Sequence, residues 1–175
     1  PHAMQYVMDM KDIAIVEMES LIQVGGQSLV ELTCGGIKPD PRGLLDIQLA
    51  TGVNVVMGCG YYVEEYQEEE NHRRKPEDFA REMVTQILDG AWGTEIRAGI
   101  IGEIGCQTPW TALEKRVMQG AILAQQETGV TLNIHTGRDE DLPLEIATSV
   151  RGWGGDLSRT IISHIDRTIF DEDRL

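Results

Sequence analysis

The chain has 175 residues, of which 41% are hydrophobic and 25% charged, and its formal net charge is −14. This composition suits one soluble domain over residues 1–175, and the excess of acids disfavours nucleic acid and anionic membranes as partners. No window reaches the roughly 18 apolar residues of a membrane helix, and the N-terminus lacks the pattern of a secretory signal, so the sequence predicts a cytoplasmic protein without a membrane span.

Short apolar segments alternate with helical patterns along the whole chain. The apolar segments are rich in β-branched residues and nearly continuous in apolar character, which is typical of strands covered on both faces. The helical patterns begin at proline or at the capping box Thr111 to Glu114, and several end before glycine. In chain order we predict a helix at 11–24, a strand at 28–33, a helix between Pro41 and Gly52, a strand at 53–58, a helix from Pro76 to before Gly90, a strand at 98–104, a helix at 111–127, a strand at 130–135, a helix at 141–151 and a strand at 160–164.

Three of the predicted strands carry a metal-binding type of side chain at their carboxyl ends. Glu103 lies in GIIGEIG, His135 in NIHTGRD and His164 in SHIDRT. Each residue alone is more often a structural group, but together they occupy equivalent points on three consecutive strands. Two neutral imidazoles and one carboxylate suit zinc, manganese or iron. The sequence therefore predicts one shared site for a divalent metal.

The alternation of strands and helices predicts an α/β fold with a parallel sheet and helical crossovers. An open doubly wound sheet and a closed eight-stranded barrel both show this pattern. The nucleotide-binding turn of the open sheet is poorly matched, because GCGYYV at 58–63 has two glycines and no third. Chemistry at the carboxyl ends of several strands is typical of the barrel. We therefore predict a (β/α)8 TIM-barrel type of fold, incomplete here, with about five parallel strands.

The motifs GIIGEIG, NIHTGRD and SHIDRTIFD, preceded by LVELTCGGIKPDPRGLLDIQLATGVNVVMGCGYYV, resemble the phosphotriesterase-related branch of the amidohydrolase superfamily. The resemblance covers nearly the whole chain. It implies a barrel with a binuclear metal centre, most often of zinc, that hydrolyses phosphotriesters, lactones or related esters and amides. It further implies that Glu103 bridges the metals from strand four, and that His135 and His164 are ligands from strands five and six.

The same resemblance implies groups that this chain lacks. A His-x-His pair is expected on strand one and an aspartate on strand eight, but the sequence contains no His-x-His. The five predicted strands then correspond to strands two to six, and a full barrel needs about 250 residues. We therefore expect this chain to be the middle of a larger protein. By itself the chain should bind at most one metal ion and have little activity.

Four further residues near the same rim are candidates for the site. Tyr62 matches the position of an aromatic residue beside the metal pocket, or else packs in the ordinary way. Arg138 either meets an anionic part of a small-molecule substrate or pairs with one of the many acids. Asp166 and Arg167 follow His164 closely and are predicted to orient it without binding the metal themselves.

The three cysteines, Cys34, Cys59 and Cys106, each follow a predicted strand end. An odd number without a close pairing motif argues against disulfides and suits a reducing compartment. Small residues that fit crowded strand ends are the simpler interpretation, and a soft-metal site is the alternative.

Three classes of function remain open from the sequence. The first is a metal-dependent hydrolase. The second is a non-catalytic binding or structural domain that covers its open sheet edges by self-association, which makes a homo-oligomer possible. The third is a nucleotide-binding α/β domain.

Overall fold

The computed structural model describes residues 10–171 and residue 173. The prediction that the N-terminus is not a secretory signal rests on residues 1–10, and of these only residue 10 is described. The helices are α1 Lys11–Gln23, α2 Pro41–Thr51, α3 Pro76–Leu88, α4 Ala112–Thr128 and α5 Leu142–Gly152. The strands are β1 Ser28–Glu31, β2 Asn54–Cys59, β3 Ile100–Cys106, β4 Leu132–Thr136 and β5 Thr160–Ser163.

All five strands pair in parallel in one sheet, and the order β1-β2-β3-β4-β5 is the order of the chain. A helix connects each strand to the next, as βαβ units require. The strands and crossovers form a half-barrel of the (β/α)8 type. The predicted fold class is therefore confirmed.

The end of β5 differs from the prediction of a strand at 160–164. The strand stops at Ser163, and His164 has a left-handed backbone with φ 66°. This conformation is uncommon outside glycine, and here it starts a single 3-10 turn over Ile165–Arg167. The Thr168 hydroxyl donates a hydrogen bond of 2.7 Å to the His164 carbonyl and closes the turn. His164 thus stands just beyond the strand.

The main core lies between the sheet and helices α3 and α4. Large buried side chains from these elements pack in one cluster, among them Phe79, Met83, Ile104, Met118 and Leu132. The two helices approach closely at Gly120, where an added Cβ would lie 2.7 Å from both the Phe79 Cβ and the Pro76 carbonyl oxygen. Glycine at this position therefore sets the spacing of the helix pair that supports β3 and β4.

A buried carboxylate ties the start of α4 to two loops. Glu114 is 0% exposed and accepts backbone N–H hydrogen bonds from Glu64 at 2.9 Å, Gln107 at 3.0 Å and Thr111 at 3.4 Å. The Thr111 hydroxyl accepts the Glu114 N–H in return, which completes the predicted capping box. Burial raises the pKa of Glu114, while the backbone donors lower it. The carboxylate thereby holds the segments that follow β2 and β3.

Replacing Glu114 by alanine should therefore destabilise the protein by about 3 kcal/mol, because three half-buried N–H groups lose a charged acceptor. The free energy of unfolding, measured in urea, checks this expectation. Glu127→Ala, at an exposed position on the same helix, is the control and should change the free energy by less than about 0.5 kcal/mol. Equal losses in the two variants would contradict the role given to Glu114.

Two apolar side chains lie exposed on the outermost strands of the sheet. Val30 on β1 and Ile161 on β5 are each 49% exposed. Within the described residues, β1 and β5 each pair with a neighbour on one side only.

Among the described residues, none of the helices has the length and apolar character that a membrane span requires.

Candidate functional site

Glu103 in the middle of β3, His135 near the end of β4 and His164 directly after β5 come together at one edge of the sheet. Parallel register places His135 beside Gly105 of β3 and beside Ser163, the residue before His164. The β3–β4 register shifts between Ile101 and Ile104, the stretch that contains Glu103. Register shifts of this kind often re-aim a side chain, and here the Glu103 carboxylate meets the two imidazoles.

Gly102 in GIIGEIG allows the close strand pairing beside Glu103. Its φ is 123°, and a Cβ at this position would lie 2.2 Å from the Asn133 carbonyl oxygen of β4. Any other residue would therefore collide with the neighbouring strand.

Three donor atoms of the site form a nearly equilateral triangle. The Glu103 Oε1 lies 2.9 Å from the His135 Nδ1 and 3.0 Å from the His164 Nε2, and the two nitrogens are 3.1 Å apart. All three side chains are half-buried. Ligands held about 2.1 Å from one ion lie about 3.0 Å apart at angles near 90° and about 3.4 Å apart at the tetrahedral angles typical of zinc. The spacing and chemistry of the triangle therefore fit a single divalent cation.

The charge of Glu103 is well suited to such a site. Burial by itself raises the pKa of this carboxyl, but the hydrogen bond and charge of His135, and then those of His164, outweigh burial. The pKa consequently lies below its ordinary value, so the group is ionised at neutral pH.

The Tyr62 side chain contacts His135 on the side opposite the triangle. Its hydroxyl lies 3.2 Å from the His135 Nε2, and the two rings meet edge to face at 4.8 Å. Burial, followed by the charge of Glu103, raises the pKa of Tyr62 to about 12, so the phenol remains neutral. If the phenol oxygen accepts the Nε2–H, the lone pair of His135 is on Nδ1, where the triangle needs it. The sequence indicated an aromatic residue here but gave no sign of this contact.

Arg167 contacts both histidines of the site. Its Nη2 lies 3.5 Å from the His135 Nε2, and its backbone N–H donates a 3.2 Å hydrogen bond to the His164 carbonyl. Asp166 is exposed and makes no hydrogen bond to His164 in the described part of the chain. The left-handed backbone of His164 begins the turn that carries both residues. Their role in orienting His164 stays a prediction.

Arg138 lines a cleft of about 460 Å³ that opens beside the triangle and shares His135 with it. Its side chain is exposed, and it has no ion pair or hydrogen bond with the residues that the structure describes. The structure thus provides no acidic partner for Arg138 within that range.

The three cysteines lie below the site and in the core. Cys34, Cys59 and Cys106 are buried and free, and the Cys34 thiol donates a 3.2 Å hydrogen bond to the Glu103 carbonyl. Burial raises the pKa of all three thiols, that of Cys59 to about 12. Metals bind the thiolate form, so these environments favour packing over a soft-metal site.

Known proteins resemble this chain in both sequence and structure. The N-acetyltaurine hydrolase of Xenopus tropicalis is 43% identical over 151 residues, which are 86% of this chain and 43% of the relative. The crystal structure of a resiniferatoxin-binding protein from Rhodobacter sphaeroides has a TM-score of 0.89 at 39% identity, covering 91% of this chain and 45% of that one.

A third comparison is the phosphotriesterase homology protein from Escherichia coli, complexed with phosphate in its active site. It has a TM-score of 0.86 at 34% identity, over 90% of this chain and 55% of that one. This chain thus spans about half the length of the relatives it matches. Residues 5–175 match the sequence pattern of the phosphotriesterase family. The half-barrel, the triangle of donors and these similarities together show that the chain belongs to the phosphotriesterase family.

Proposed function

We propose that this chain is part of a metal-dependent hydrolase that cleaves an ester, lactone, amide or phosphotriester bond of a small molecule. The observation that carries the proposal is the triangle of donor atoms, 2.9 to 3.1 Å apart, contributed by β3, β4 and the residue after β5. The N-acetyltaurine hydrolase among the relatives supports an amide as one candidate bond.

The three free thiols suit a reducing compartment, and we propose that the protein is located in the cytoplasm.

Each residue of the site has a proposed role. Glu103, His135 and His164 would hold the cation, for which zinc is the first candidate. When bound, such a cation lowers the pKa of water and polarises the oxygen of the scissile bond. Tyr62 keeps the His135 ring in the orientation that the ligand role needs, and Arg138 contacts the substrate.

We further propose that these three donors are part of a larger centre. Three protein ligands leave coordination positions open, and the triangle contains no second carboxylate that could accept a proton. The exposed Val30 and Ile161 on the outer strands support completion of the barrel by additional strands. On this proposal, residues 1–175 form part of one barrel domain, and the natural-length protein supplies the remaining groups.

Removal of the metal tests the proposal. After treatment with a chelator, the natural-length protein should lose at least about a hundredfold of its activity toward a panel of activated esters, lactones and phosphotriesters. Addition of zinc or manganese should restore the activity. Magnesium is the control, because it prefers oxygen ligands and should restore little. Hydrolysis that persists unchanged without metal would overturn the proposed function.

A further inference from the structure

A line of hydrogen bonds connects the backbone of Tyr62 to helix α3. The Gln67 Nε2 donates a 2.6 Å hydrogen bond to the Tyr62 carbonyl, and the Asn71 Nδ2 donates a 3.1 Å hydrogen bond to the Gln67 Oε1. The Arg74 Nη1 in turn donates a 3.1 Å hydrogen bond to the Asn71 Oδ1. We call Gln67, Asn71 and Arg74 the polar array. It lies on the segment between β2 and α3.

The polar array allows only one direction of hydrogen bonding. At one end the Arg74 guanidinium can only donate, and at the other end the Tyr62 carbonyl can only accept. Each of the two amides between them must therefore accept with its oxygen and donate with its nitrogen toward Tyr62. Asn71 is 2% exposed, so water scarcely competes for its amide. A side chain that accepts but cannot donate at either amide position would interrupt the line.

The composition of this segment agrees with that requirement. The stretch EEYQEEEN at 64–71 is rich in glutamate, and four of its exposed positions are acidic, namely Glu65, Glu68, Glu69 and Glu70. The two positions that belong to the polar array carry neutral amides instead. An ionised carboxylate has no proton to donate, so the amides are the side chains of this size that the array needs.

Arg74 anchors the polar array on α3. Its guanidinium lies over the Phe79 ring, 4.2 Å from the ring centroid, contacts the Glu82 carboxylate and donates a 3.1 Å hydrogen bond to the Asp78 carbonyl. Its Nη1 also donates to the Tyr61 hydroxyl at 2.8 Å. Phe79 belongs to the main core. This end of the array is therefore held by packing as well as by charge.

The other end of the polar array restrains the residue that contacts His135. The Tyr62 N–H donates a 3.0 Å hydrogen bond to the Gly35 carbonyl, and the Tyr62 carbonyl is the group that Gln67 holds. The phenol of the same residue lies 3.2 Å from the His135 Nε2. Because the place of the phenol depends on the backbone from which it extends, the array and the Tyr62–His135 contact are linked.

We propose that Gln67, Asn71 and Arg74 are positioning residues, which hold Tyr62 against His135 and thereby set the orientation of that imidazole. The inference rests on the proposed function, in which His135 is a metal ligand. A group that fixes the far nitrogen of a ligand histidine typically contributes about tenfold to a hundredfold to metal affinity. The polar array contributes through Tyr62, and only while the phenol is present.

The zinc affinity of the natural-length protein tests the inference without any turnover. Asn71→Asp keeps the size of the side chain and its acceptor but cannot donate to Gln67, so the affinity should fall about tenfold. Gln67→Glu should have the same effect, because its carboxylate faces the Tyr62 carbonyl. The control Gln23→Glu adds the same charge at an exposed position at the end of α1 and should leave the affinity within about twofold. Competition with a chelator gives the dissociation constants.

A double-mutant cycle identifies the route by which the polar array acts. Tyr62→Phe should itself lower the zinc affinity about tenfold. In that background Asn71→Asp should change the affinity by less than about twofold, because the contact that it supports is gone. A second tenfold loss, an unchanged affinity in Asn71→Asp alone, or equal losses in Asn71→Asp and Gln23→Glu would each overturn the inference. If Asn71→Asp does not fold, Gln67→Glu at its half-buried position takes its place.

The metal-free natural-length protein gives a test that does not depend on zinc. The ring nitrogen resonances of His135 are identified by NMR through their absence from His135→Gln. They should shift in Asn71→Asp in the same direction as in Tyr62→Phe and stay in place in Gln23→Glu. Unmoved resonances in Asn71→Asp would overturn the inference even if the protein is a hydrolase. If the resonances move but no substrate is hydrolysed, the positioning role stands and the proposed function fails.

Discussion

Replacing Glu103 by glutamine is expected to lower kcat/KM of the zinc-loaded natural-length protein by about a thousandfold. The amide keeps the size of the side chain but lacks the negative charge that would hold a cation between two imidazoles. A loss of several kcal/mol in the stabilisation of the charged centre corresponds to this factor. Steady-state rates on the best substrate of the panel, together with the metal content of the purified variant, give the measurement.

Two further variants make the Glu103 result specific. Glu103→Asp retains the charge on a shorter side chain and should recover part of the activity. Glu127→Gln removes one carboxylate at an exposed position of α4 and should change the rate by less than about twofold. Near-normal turnover by Glu103→Gln with full metal content would show that Glu103 is not a ligand.

The isolated 175-residue chain is expected to bind at most one zinc ion weakly and to show little or no turnover. It offers three donors to one ion, and the family resemblance places the other ligands and the proton acceptor on strands that lie outside these five. The metal content after desalting, the rates on the substrate panel and the mass in solution are the three measurements.

Robust turnover by the isolated chain would contradict this expectation. If Glu103→Gln then abolished the turnover and the mass in solution were that of a dimer, a second copy would be supplying the missing groups. Turnover that is indifferent both to chelation and to Glu103→Gln would overturn the metal-dependent hydrolase altogether. A self-associated chain without metal or turnover would favour the alternative of a binding or structural domain.

Much of the fold could be predicted because local chemistry determines it. The helix at 111–127 was predicted from the capping box Thr111 to Glu114, and the structure has both the box and a helix at Ala112–Thr128. The strands were predicted from short apolar runs, which also indicate burial on both faces and therefore parallel pairing. These signals are contained in a few neighbouring residues, so no knowledge of the tertiary structure is needed.

The arrangement around the triangle was less predictable. The Tyr62–His135 hydrogen bond joins residues 73 positions apart. The contact of Arg167 with His135 joins residues 32 positions apart, and no residue type near His164 indicates the left-handed backbone there. The cleft is formed by three separate loops, and its existence depends on how they pack. Such features arise from the assembled backbone, and a pattern in the sequence does not show them.

The identity of sheet order and chain order has a consequence for how the site is assembled during synthesis. Two donor residues lie on the consecutive strands β3 and β4 and the third directly follows β5, and His135 and His164 are only 29 residues apart. Closing loops of this length costs little more than closing shorter ones, because the entropy of loop closure grows slowly. We therefore expect the triangle to form before a later strand is released, so that the nascent half-barrel is able to take up its first metal ion. A cation that binds the folded form but not the unfolded chain stabilises that form, and the metal would then act as a folding ligand before it acts in chemistry.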